Sequence, residues 1–365
     1  MANEATYHAD PALGSTDLRR LIVSPTKYWI GSHLNPDRPA DDSTSAQIKG
    51  SAIHKLLLEG RAAFERRYRL APSKDDVPGV LATVDDMRIW LKIQNELRDK
   101  KDKVAVTGSK AELIERVRMI DANVPIWDEI MTQFEASLAK DEAQALSPKA
   151  MAEVEHACKM VCANPALANA FRGGAAEVSV FWEERQDGTV QRFKARWDYL
   201  KPRTLLDIKS FANIYDKPMR EAVRMLFPQY RLDVQARHYL DGYRAALLHV
   251  NHGRVFGECQ LPNGWANALA APDDIRFTWV FIEKSEAALS MGWEISPASQ
   301  IFDLAACEMA IAKKTLADMT RRFAPGEPWI VSEPVHEFTE DDLPVWMRIQ
   351  IAVARDGNAS REGAQ

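Results

Sequence analysis

Residues 176–210 leave this chain little freedom of fold. Two runs of alternating apolar and polar residues, AEVSVFWEE and TVQRFKARWDYL, flank Gln186-Asp187-Gly188. Alternation of period two marks a half-buried strand, and an Asp-Gly pair supplies the positive φ angles of a tight hairpin turn. Pro202 breaks the chain just beyond, and TLLDIKS then has the composition of a short buried strand. A hairpin followed at once by a third strand commits the chain to a sheet, and whatever surrounds it has to cover that sheet.

The surroundings are helical in pattern. Ser15 or Thr16 can cap a helix through about Leu21, and Pro25 can open PTKYWIG. SAQIKGSAIHKLLLEG has helical spacing and stops at Gly60, while Gly50 inside it predicts close backbone packing. VDDMRIWLKIQNELRDKKDK and SKAELIERVRMI form two further helices, the second opened by a Ser109–Glu112 capping box. Others are expected from Lys149 to Cys162, over KPMREAVRML, from Pro228 to Leu248 and over SQIFDLAACEMAIAKKTLADMTRRF. RFTWVFIEKS is another strand. This order predicts an α/β protein with a mixed central sheet flanked by helices. We expect one domain over 1–365, a small helical insertion at 79–130, and a disordered tail at 352–365.

Composition narrows the setting. The 365 residues are 46% hydrophobic and 27% charged, ordinary for a globular chain. No uninterrupted apolar run reaches membrane-spanning length, and the first residues lack a basic stretch followed by an apolar one, so a cytoplasmic protein with no membrane contact is expected. Cys158, Cys162, Cys259 and Cys307 are too scattered for a disulfide framework, and Cys158 and Cys162, one helical turn apart, read as thiols on a helix face. The net charge is -5 and the pI about 6.0, so any grip on nucleic acid must come from a local field.

One constellation carries chemistry. Asp207 and Lys209 are two apart on a strand and therefore share a face. The preceding leucines predict a buried strand, where charge needs a reason. Asp198 ends the strand before, and the KPRT connection can bring the two carboxylates together. Neighbouring carboxylates repel unless a cation sits between them. Asp198, Asp207 and the backbone carbonyl of Ile208 make a hard oxygen set suited to Mg2+. Lys209 then orients or deprotonates an attacking water, or neutralises developing charge.

Asp198…Asp207-Ile208-Lys209 resembles the active-site motif of PD-(D/E)xK nucleases, and the surrounding chain resembles the exonuclease VIII (RecE-type) branch from phages and prophages. YHADPALGSTDLRRLIVSPTKYW is similar to the start of that branch, GSAIHKLLLEG to its first motif, QARHY to the Q-x-x-x-Y motif of RecB-like nucleases, and RFTWVFIEKS to a late strand. The resemblance implies a restriction-endonuclease-like core with His54 as a further metal ligand, Mn2+ tolerated beside Mg2+, Glu177 near the reacting centre, and Gln235 and Tyr239 contacting DNA. The insertion, ending Gly108-Ser109-Lys110-Ala111-Glu112-Leu113, resembles a SAP domain, whose Lys100, Lys101, Lys103 and Lys110 are then placed to meet phosphates. The implied activity is exonucleolytic digestion of one strand of linear duplex DNA, 5′ to 3′, leaving a 3′ single strand. The implied partners are duplex DNA ends, a single-strand annealing protein and further copies of the chain in a ring. A Cas4-like or helicase-associated nuclease and a catalytically silent recombination scaffold are the rivals; the cysteine spacing disfavours the first and the intact acidic pair the second.

Overall fold

The computed structural model describes residues 4–39, 44–186, 188–257, 264–331 and 334–362. The expected hairpin forms β3 (Ala175–Gln186) and β4 (Thr189–Lys201), joined by a two-residue link in which Gly188 takes φ 79°. Gln186 pairs with Thr189 at its mouth, and Asp187 lies outside the described residues. A second short turn at Pro202-Arg203 leads into β5 (Thr204–Phe211).

Ahead of the hairpin come α1 (Glu4–Ala9), α2 (Ser15–Val23), α3 (Pro25–Gly31), α4 (Ser45–Arg67), β1 (Tyr68–Leu70), α5 (Val84–Glu96), α6 (Lys110–Ile120), α7 (Trp127–Asp141), β2 (Gln144–Leu146) and α8 (Pro148–Ala163). After β5 follow α9 (Met219–Gln229), α10 (Leu232–Asn251), β6 (Arg276–Glu283), β7 (Ser290–Ile295), α11 (Ile301–Arg322) and α12 (Val345–Glu362). The main sheet runs β3-β4-β5-β6-β7; β5 and β6 are parallel and the other neighbours antiparallel. It is therefore mixed, and helices cover it as expected. β1 and β2 form a separate parallel pair.

Both faces of the sheet are packed. Trp197, Leu205, Phe277 and Trp279 meet Val223, Ala236 and Tyr243 of α9 and α10 on one side. Leu206, Ile208, Val280 and Ile282 meet Ile53 of α4 and Val154 and Val161 of α8 on the other. Burial on two faces explains the continuous apolar runs of β5 and β6. A third cluster joins α2, α3 and α11 around Phe193.

Several local expectations are refined. α2 starts at Ser15, but its first free amide, that of Gly14, donates to Asp17 Oδ2 at 2.9 Å. Gly60 interrupts α4 with φ 81°, and the helix then resumes to Arg67. A Cβ on Gly50 would lie 3.0 Å from Ser210 Oγ, so the close packing there is between α4 and β5. The helix expected from Pro228 starts four residues later, at Leu232: Pro228 sits in the last turn of α9, and Arg231, left-handed at φ 49°, breaks the path before α10. α7, β7 and the short pair β1–β2 carried too little periodicity to be anticipated. Helix α12 continues through Glu362, over most of the segment expected to be disordered.

Residues 81–126 have an apolar cluster of their own, built on Leu81, Met87, Leu91, Leu113, Val117 and Ile126. Its two ends meet in a parallel bridge, with the Leu81 amide donating to the Pro125 carbonyl at 2.9 Å and the Trp127 amide to the Leu81 carbonyl at 3.1 Å. The Ser109–Glu112 capping box opens α6, as its sequence predicts.

Candidate active site

Strands β4 and β5 pair only over three positions, from Lys201↔Thr204 to Tyr199↔Leu206. The next pair in register would be Asp198 with Asp207, and there the ladder stops. The Asp198 carboxylate takes over a ladder position, accepting from the Ile208 amide at 2.6 Å. Asp198 is therefore three residues short of the end of β4, at the fork where the strands part, rather than at the strand end. Asp207 is 2% exposed. Its Oδ1 accepts from Gln235 Nε2 of α10 at 2.8 Å, and its Oδ2 lies 2.5 Å from Lys209 Nζ. That ion pair shares one strand face, as the spacing of two requires, but Asp207 Oδ2 has no hydrogen bond of acceptable geometry.

Other elements close in around this pair. Gly50 lets α4 approach β5, and four residues on, one helical turn later, His54 places Nδ1 3.5 Å from Asp198 Oδ2. Burial, then the Lys209 charge, hold the His54 imidazole below its usual range, while a backbone hydrogen bond with Ile208 pulls the other way. Tyr239, one turn beyond Gln235 on α10, has its phenol pushed well above the usual range by burial and then by Asp207. Glu177 of β3 lies opposite Asp198 and pairs with Arg196 Nε at 2.5 Å.

The electrostatics follow from crowding. Burial raises the Asp198 carboxyl, and the neighbouring Asp207 charge raises it further, to about 7 against a usual 3.8. Glu177 is also raised, first by burial and then by Asp198, with Arg196 opposing. Two buried carboxylates cannot both carry charge cheaply without a cation.

Of these groups, His54, Glu177, Asp198 and Tyr239 line a cleft of about 230 Å³, while Asp207, Lys209 and Gln235 lie behind its wall. The cleft also recruits Tyr7, His8, Lys55 and Arg196, none of which was singled out from the sequence, and Arg67, which the sequence marks only as part of a basic cluster with Arg66 and Arg69. Arg196 was detectable, being two residues from Asp198 on one strand. Tyr7 and His8 arrive through long-range packing, with no chemical signal of their own in the sequence. The lysines of the insertion stand elsewhere: Lys100, Lys101 and Lys103 are exposed, and Lys110 pairs with Asp128 at 2.7 Å.

Among the described residues, no group of three or more His, Cys, Asp and Glu side chains is arranged as a ready metal cage. The donors available are the Asp198 and Asp207 carboxylates, with Asp207 Oδ2 held in an ion pair by Lys209 rather than in a hydrogen bond. This set fits Mg2+, which is commonly held by one or two carboxylates with water and substrate oxygens completing its shell. It does not fit a closed zinc site. Cys158 is buried with Sγ 3.8 Å from the Ile53 carbonyl, and Cys162 and Cys307 are exposed and unbridged. Cys259 lies outside the described residues. Among those described, no helix is long and apolar enough to cross a membrane.

No protein-family profile matches the sequence, and no curated protein matches it. Solved structures similar at a low level include the following two. A chain from Eubacterium rectale, named provisionally as an exonuclease, is 12% identical over 81% of this chain and 97% of its own, with a TM-score of 0.32. A protein named SSO0001 is 13% identical over 52% of this chain and 68% of its own, with a TM-score of 0.25. Likeness at this level decides neither fold nor activity, and the functional reading rests on the geometry.

Proposed function

We propose that this chain is a Mg2+-dependent DNA nuclease with a PD-(D/E)xK core, acting as an exonuclease on one strand of linear duplex DNA. The observation that carries the reading is the buried Asp198–Asp207 pair at the fork of β4 and β5, with Lys209 on the same face as Asp207. Asp198 and Asp207 hold the cation, and His54 borders them. The bound cation supplies charge to polarise a phosphoryl oxygen and lower the pKa of a water.

The protein's own groups do the rest. Gln235 fixes the Asp207 carboxylate, so its second oxygen keeps one direction. Lys209 brings its amino group to the reacting phosphate, where the ammonium form offsets developing charge or the neutral amine form accepts the proton of the attacking water. Tyr239 offers a buried phenol as hydrogen-bond donor to phosphate. Lys55, Arg67 and Arg196 give an acidic floor a cationic rim, the polarity a phosphodiester backbone needs. The exposed lysines of residues 81–126 offer a separate phosphate-binding surface, consistent with a SAP-like role. Digestion 5′ to 3′, a ring of copies and an annealing partner complete the proposal by resemblance to the RecE-type branch.

The test is digestion of linear duplex labelled at either 5′ or 3′ end, beside a closed circle, with and without Mg2+. The reading expects Mg2+-dependent release of labelled nucleotides from linear DNA and an intact circle. Cleavage of the circle makes the enzyme an endonuclease, and no cleavage of either substrate removes the hydrolytic reading.

A further inference from the structure

Glu177 takes φ 54°, the left-handed region that a residue with a Cβ adopts only when its surroundings impose it. It does so in the middle of a ladder. β3 pairs Ala176 with Tyr199 and Val178 with Trp197, while Glu177 and Asp198 between them are unpaired. Side-chain alternation breaks in both strands at this point. Ala176 and Tyr199 pack in the cluster under α4 and α8, but Val178, Trp197 and Leu200 pack in the one under α9 and α10. A local kink thus turns one acid from each strand into the same cleft.

The geometry points to Arg196 as the positioning residue that holds this kink, fixing the Glu177 carboxylate opposite Asp198. Its Nε lies 2.5 Å from Glu177 Oε2, and its Nη1 reaches Ser179 Oγ at 3.5 Å. The guanidinium carbon sits over the Tyr7 ring, 5.6 Å from its centre. A planar fork can serve a carboxylate, a hydroxyl and an aromatic face at once, which the point charge of a lysine cannot. Tyr7 is itself secured, because Lys194 Nζ donates to the Tyr7 and Asp10 carbonyls at 2.8 and 2.7 Å. The first turn of the chain is therefore the outer wall of the clamp. The assignment rests on the cleft being the hydrolytic centre and adds how its third acid is aimed.

The test compares Arg196→Met, Arg196→Lys, Glu177→Gln and the Arg196→Met/Glu177→Gln double variant with wild type. Initial rates on end-labelled linear duplex in Mg2+ are measured together with amide exchange of the peptide covering 175–180. A misaimed catalytic group costs about 30- to 100-fold in kcat, so Arg196→Met falls by that amount with KM little changed. Arg196→Lys recovers only part of the loss. The double variant is no worse than Glu177→Gln alone, because Arg196 acts through Glu177. Exchange quickens over 175–180 while β5 and β6 and the melting temperature hold. Multiplying losses in the double variant, or unchanged exchange over 175–180, overturns the positioning role. A wild-type protein that cuts no DNA overturns the hydrolytic reading, and the exchange measurement still decides whether Arg196 holds the kink.

Discussion

His238, one turn along α10 from Gln235, is fully buried. Its Nε2 is 2.9 Å from the Lys194 carbonyl, so that nitrogen carries the proton, and its buried Nδ1 is left without a partner. Burial lowers its pKa from 6.5 to about 4; Lys313 lowers it too, while the Lys194 carbonyl, Asp241 and Glu184 act the other way. The folded pKa is below the unfolded one, so on acidification the unfolded chain takes the proton first. The stability is whole above about pH 6.5 and drains as pH falls toward 4, by up to about 3 kcal/mol. Gln keeps a donor near the Lys194 carbonyl and cannot titrate. Urea unfolding of wild type should therefore weaken more between pH 7 and 4.5 than that of His238→Gln, and parallel profiles contradict this account. Asp198 differs in sign, since its carboxyl is raised to about 7. Its contribution falls as pH rises from about 4 to 7. At pH 8 without metal, Asp198→Asn is expected to gain about 1–3 kcal/mol by removing a buried like charge. A destabilised variant in thermal unfolding would contradict the crowding.

At the scale of elements, α4 and the hairpin deliver the site. Gly50 is the contact that lets α4 lie on β5, with its notional Cβ 3.0 Å from Ser210 Oγ. Gly50→Val adds a branched side chain to that contact. It is expected to cost about 1–3 kcal/mol in stability and to depress activity further by moving His54 from Asp198. Chemical denaturation beside initial rates checks this; an unaltered rate would mean that α4 does not set the site. The insertion, by contrast, has its own core and two adjacent ends. Replacing Lys100, Lys101 and Lys103 by Gln leaves that core untouched. The expected result is weaker duplex binding, with the slope of log affinity against log salt reduced by up to about 3. An unchanged slope makes the lysines a solvated surface.

At the scale of the whole molecule, a chain of net charge -5 presents its cations locally, at the rim of an acidic cleft and on a separate module. The sheet was legible because β3, β4, β5 and β6 each carry either strict alternation or a doubly buried apolar run. Asp198, Asp207, Lys209, His54, Gln235 and Tyr239 were legible as an ordered series, and the fold gathers them. The αL break at Arg231 was not legible, because an arginine carries no turn signal. The kink at Glu177 was hidden for the same reason: nothing in AEVSVFWEE departs from an ordinary strand. Tyr7 joins the site from 170 positions before Glu177, a closeness that only packing creates. The central claim is that Asp207 and Lys209 perform metal-dependent phosphodiester hydrolysis. Single-turnover digestion of linear duplex by Asp207→Asn and Lys209→Ala, in Mg2+ and with folding checked by circular dichroism, tests it most directly. The account predicts losses of about 10³-fold or more in each with DNA still bound. Either folded variant digesting DNA within about ten-fold of wild type would contradict it.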